Sequence, residues 1–232
     1  MDLAIFSSDG LMFFLRWLHL FFGVLWIGLL YYFNFVQGSF FAETDAATKS
    51  NAIQKLVPRA LWWFRWAAMF TFVIGWLMIM GRMHQVPGII NTSWGVAILT
   101  GGALGSLMWF NVWFVIWPNQ KVVIESATQA AKGGQALPNA AAAAARAGVA
   151  SRTNVLFSFP MLFFMGAASH LPIAVTEESN LTLFAIVTAV ILAGLEFNAL
   201  KGKTGPLTTV KGVIHCGLAL AVVLYVVMEV IV

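Results

Sequence analysis

Residues 11–37 read LMFFLRWLHLFFGVLWIGLLYYFNFVQ. A run of that length is enough to cross a bilayer, since a spanning helix needs ~20 mostly apolar residues. Yet Arg16 and His19 interrupt it. A charge inside a span costs on the order of 3 kcal/mol on insertion scales, so it normally faces a protein interior with a partner. At helical spacing Arg16, His19, Gly23 and Trp26 fall on one stripe. That stripe combines a cation, an imidazole, a gap with no side chain and a large flat ring, groups for which lipid has no use. It reads as the wall of an internal site around which later helices close.

The rest of the chain has the same character. Its 232 residues are 60% hydrophobic and only 9% charged, whereas soluble domains run near ~25% charged. This is the composition of an integral membrane protein. A formal charge of +4, spread over the links between apolar runs, orients the chain in a bilayer and excludes a nucleic-acid partner. Cys216 is the single cysteine. It rules out an internal disulfide, and no C-x-x-C-H is present for a covalent c-type haem. No small-residue cleavage site follows the first apolar run, so that span is expected to be retained.

The apolar runs predict an all-α membrane bundle of about six transmembrane helices, at 11–37, 58–81, 94–117, 153–171, 181–200 and 207–231, forming one integral domain over 1–232. Pro58 opens the second span, where proline at a first helical turn is well tolerated. Pro118 is expected to end the third. Gly101 and Gly105 form a small-xxx-small pair, read as a helix-packing surface. The segment 119–152 is the one long hydrophilic stretch. Lysines and arginines concentrate in alternate links: Lys49, Lys55 and Arg59; Lys121, Lys132, Arg146 and Arg152; Lys201, Lys203 and Lys211. The opposite links offer only Arg82, beside Glu177 and Glu178. Both termini are therefore expected to be periplasmic and 119–152 cytoplasmic.

Two sets of residues could carry chemistry. In the outer half lie His19, His84 and His170, with Arg16 nearby. Histidine is the usual haem axial ligand and arginine pairs with carboxylates such as propionates. A b-type haem would use Arg16, His19 and Trp26, with His170 as second iron ligand and His215 in reserve. The competing reading is a histidine that simply hydrogen-bonds a neighbouring helix. In the inner half lie Arg65, Asn111, Glu196, Lys211 and His215. Pairing Arg65 with Glu196 would remove the cost of two lone charges; the sharper alternative is a proton path or an anion site. The tryptophans at span ends, such as Trp62, Trp63 and Trp117, read as an interfacial belt.

Three stretches go further. NVWFVIWPNQK at 111–121, SRTNVLFSFPMLFFMGAASH at 151–170 and RWLHLFFGVLWIG at 16–28 resemble the membrane domain of PuuD-type urate hydroxylases. The matching positions are His19, Trp26, Asn111, Trp113, Trp117, Pro118, Asn119, Arg152, Asn154, Pro160 and His170. The resemblance implies a multi-pass protein of the bacterial inner membrane, implicated in urate oxidation. In that family a c-type cytochrome follows the membrane domain. As no C-x-x-C-H is present here, the expected partner is a separate c-type cytochrome or oxidase. The alternative is a non-catalytic accessory subunit packed against other membrane subunits of a respiratory or photosynthetic complex.

Overall fold

The computed structural model describes residues 3–232, and those residues form helices and links without a strand. Seven helices among them carry the fold: α1 Ser8–Glu43, α2 Ala46–Lys55, α3 Val57–Gln85, α4 Ser93–Ala131, α5 Ala140–His170, α6 Leu181–Lys201 and α7 Val210–Ile231. Most begin on a side chain that satisfies a free backbone N–H. Ser7, Asp45, Thr92, Asn180 and Thr209 cap α1, α2, α4, α6 and α7 in turn. Proline supports the first turn of α3.

Helices α1, α3, α4, α6 and α7 are long and apolar enough to cross a membrane. Their outward faces carry large exposed apolar side chains such as Val24, Val190, Phe197 and Val230, as lipid contact requires. The sixth predicted span, 153–171, lies in α5, which is not among those five. Its apolar run is diluted by Thr153, Asn154 and Ser158, all buried against other helices. Helix α5 is the hub of the bundle. It packs against α4, α7, α6 and α1, while α1 pairs with α3.

Several predicted boundaries move. The third span does not stop at Pro118: α4 runs through it to Ala131. Residues Asn111–Ile116 form a π-helical turn, in which the N–H of Trp117 reaches back to Val112. A π turn already redirects the carbonyls upstream of the proline, so its missing N–H breaks no ladder that the helix depends on. The first span likewise continues past Gln37 to Glu43 through a second π turn, Tyr32–Gln37. The 119–152 segment is mostly helical, since the alanine run from Ala140 starts α5 rather than serving as a linker. Inside α5, Pro160 also deprives a carbonyl of its donor, a loss tolerated where neighbouring helices and hydroxyls surround the break.

Close approaches are made through glycine. A Cβ on Gly101 of α4 would sit 3.4 Å from the Met161 carbonyl of α5, and one on Gly217 of α7 would run into the ring of Phe159. The bundle has two distinguishable ends. At one, the Ile173 N–H bonds Ser93 Oγ and the Asn180 N–H bonds the Ile231 carbonyl. Every lysine and arginine except Arg16 and Arg82 lies toward the other.

Candidate functional site

At the end rich in lysine and arginine, three helices bring polar side chains into the core. Asn111 sits on the π turn of α4, Asn154 on α5 and Glu196 on α6, and all three are buried. The Asn111 Nδ2 donates to Asn154 Oδ1 at 3.0 Å and to Glu196 Oε2 at 3.0 Å. Asn154 Nδ2 in turn donates to the Met108 carbonyl at 2.9 Å, one turn above the π segment. The other π turn is held in the same manner. Asn34 donates to the Leu30 carbonyl and to Ser151 Oγ of α5, both at 2.8 Å. Ser151 and Asn154 are three residues apart and share a face. One face of α5 therefore locks both widened turns.

Two acceptors in this knot, Asn111 Oδ1 and Glu196 Oε1, have no partner among the described residues. A buried acceptor left bare is costly, so the knot has a place for one more donor: a water, a cation or a proton on the carboxyl itself.

Arg65 does not supply it. The expected Arg65–Glu196 pair is not formed: Glu196 turns to Asn111, and the guanidinium lies over Trp117 with its centre 3.5 Å from the ring centroid. Trp113 flanks the guanidinium at 5.4 Å, and Arg65 Nε–H donates to the Leu61 carbonyl. A weakly hydrated planar cation gains from the face of an indole, and here that attraction takes the place of a carboxylate. Trp117 therefore does more than mark an interface. Lys211 and His215 lie on the exposed side of α7, apart from the knot.

In the other half of the bundle, His19 lies half-buried between α1 and α3. Its Nδ1 donates to the Thr71 carbonyl at 3.0 Å. Because a carbonyl can only accept, that bond places the ring proton on Nδ1 and leaves Nε2 with a free lone pair. The ring fits because Gly75 stands opposite: a Cβ there would lie 2.9 Å from His19 Cε1. His19 and Trp26 share a crevice of about 50 Å³ with Gly75, Gly102, Met161 and Met165. Trp26 is only 2% exposed, and its Nε1–H has no partner among the described residues.

The family model described as urate oxidase N-terminal matches residues 86–228, over half of the chain. The chain belongs to that family. No curated protein and no solved structure matches it. Within this urate oxidase N-terminal region fall α4, α5, α6 and most of α7, and with them the whole Asn111–Asn154–Glu196 knot. His19, Trp26, Thr71 and Gly75 precede it, while Met161 and Met165, which face them, lie inside.

A haem held between two histidines needs both imidazoles on one cavity. The structure does not bring those residues together in this member of the urate oxidase N-terminal family. His170, at the end of α5, and His215, on α7, are both exposed, and so are Arg16 and His84. The crevice beside His19 has room for one or two water-sized groups, far short of a porphyrin. No group of three or more His, Cys, Asp or Glu side chains gathers among the described residues. The residues present do not fit a haem inside this chain between two of its own histidines. Sequence reasoning singled out His19 and Trp26 but missed Thr71, Gly75, Met161 and Met165. A threonine carbonyl and two methionines in apolar runs carry no signal of their own.

Proposed function

We propose that the chain is a membrane component of a urate-oxidising redox system in a bacterial inner membrane, working with a separate c-type cytochrome or oxidase. The observation that carries this reading is the urate oxidase N-terminal match over 86–228. The apolar faces of five helices support a site in the bilayer. The fixed elements of the matched region, the π turn at Asn111 and its knot with Glu196, support a scaffold whose polar interior is built rather than incidental. In this reading both termini face the periplasm, where a c-type cytochrome would dock.

A second reading is favoured by one feature. His170 and His215 stand on the outer surface of the bundle, away from His19, which suits a non-catalytic subunit whose outward residues meet other membrane subunits. One experiment separates the two. Membranes with and without the chain are given urate while cytochrome c reduction and oxygen uptake are followed, and the gently solubilised protein is checked for co-purifying subunits and visible absorption. Urate-dependent cytochrome reduction that vanishes with the chain supports the first reading. Unchanged urate oxidation, with the chain held in a stable larger assembly, leaves the second.

A further inference from the structure

The crevice beside His19 is lined by an unusual set of donors. His19 lines it with Nδ1 committed to the Thr71 carbonyl, so Nε2 is the ring nitrogen left for a ligand. Helix α5 contributes two thioethers, Met161 and Met165, to the same wall. The Met165 side chain rides over Gly101, with Cε 3.2 Å and Cγ 3.4 Å from where a Cβ would be. Among the described residues, no carboxylate lines the crevice. From these observations we propose that the crevice is a binding site for a soft monovalent metal ion, Cu(I), held by His19 Nε2 and the sulfurs of Met161 and Met165.

The donor chemistry selects the ion. Thioether sulfur and neutral imidazole suit Cu(I), whereas magnesium, calcium and manganese want carboxylate, carbonyl and water oxygens. A ligating histidine characteristically donates its second ring N–H to a backbone carbonyl, which fixes tautomer and orientation. The His19–Thr71 bond has that form. A neutral donor set adds no net charge of its own, so a monovalent ion leaves a smaller uncompensated charge in the membrane than a divalent one.

The crevice is also the right size. About 50 Å³ holds an ion with one further small ligand. Trp26 also lines the crevice, and its buried Nε1–H, unpartnered among the described residues, is a donor for that ligand. Glycine makes the space, because a Cβ on Gly75 would press into the His19 ring. The site joins α1 to α5 across α3, and it does not depend on the urate reading.

The test is metal binding by the 232-residue chain in detergent, with Cu(I) supplied from a competing chelator under anaerobic reducing conditions and Ag(I) as a redox-inert probe. The wild-type chain should take up one Cu(I), quench tryptophan fluorescence, and show nitrogen and sulfur neighbours by X-ray absorption. H19Q, and separately the M161L/M165L pair, should bind ~10–100-fold more weakly or not at all. The H84A/H170A/H215A triple variant should bind like wild type. Leucine conserves methionine's volume and is well tolerated in its place, so the methionine pair still tests the site where H19Q fails to fold. Wild-type protein that is monodisperse and binds no Cu(I) would overturn the proposal. So would a folded M161L/M165L protein with unchanged affinity, or loss of binding in the triple variant alone.

Discussion

Glu196 shows how a single buried carboxyl is accommodated inside an apolar bundle. Its Oε2 accepts from Asn111, whose amide also serves Asn154, so one side chain couples three helices. Removing a hub of this kind leaves buried groups without partners, at ~1–3 kcal/mol. Asn111→Leu and Glu196→Leu should each lower the thermal midpoint in detergent. The double variant should lose less than the sum, because neither partner is then left bare. Strict additivity would mean that the two are not coupled. The sequence alone points to both residues but proposes the wrong partner. Opposite charge makes Arg65 the obvious match for Glu196, and nothing in a linear reading shows that Trp117 comes within 3.5 Å of the guanidinium. Arg65→Lys keeps the charge and loses the planar stack; a red-shifted tryptophan emission would report it.

Helix–helix contact in this bundle depends on where glycines lie. Gly217 is pressed against Phe159, whereas Gly194 of α6 has nothing within 4 Å of a built Cβ. Gly217→Ala should therefore destabilise by ~1–3 kcal/mol through overpacking, while Gly194→Ala should be neutral or better, as alanine favours a helix. Equal thermal shifts for the two would refute that account. Helix α2 depends instead on its cap. Asp45 accepts from the Thr48 hydroxyl and from the amides of Thr48 and Ala47, and these bonds hold its carboxyl below the usual range. The depressed value means the cap's contribution is present above the ordinary carboxylate pKa and lost as pH falls through the folded one. Amide protection over 46–55 should drop on acidification in wild type and be flat, and lower, in Asp45→Ala. Such caps are readable in sequence. The π turns are not, because Asn34 and Asn111 need Ser151 and Asn154 across the bundle to hold them.

On the scale of the molecule, the lysines and arginines decide orientation. All but two lie toward one end of the bundle, and that end should face the cytoplasm. A cysteine placed at Gln135 in a Cys216→Ser background should react with an impermeant maleimide only after the membrane is opened; labelling in intact cells would invert the topology. Hydropathy is enough to find the five lipid-facing helices. It cannot rank α5, since a helix surrounded by protein can carry Thr153, Asn154 and Ser158 where lipid-facing ones carry valine. The two π turns have a consequence of another kind, for insertions and deletions. Each residue advances a helix by about 100°, so the one extra residue in each widened turn sets the two halves of α1, and of α4, out of phase with each other. Deleting one residue from 32–37 or 111–116 would let the turn close to α geometry with both halves still facing as they do, whereas tightening it at full length would swing the far half by about a quarter-turn. A one-residue deletion in either window therefore keeps both halves facing the core and costs only the bonds of Asn34 or Asn111, while the largely exposed 133–136 stretch of the α4–α5 link can gain or lose residues without disturbing the core.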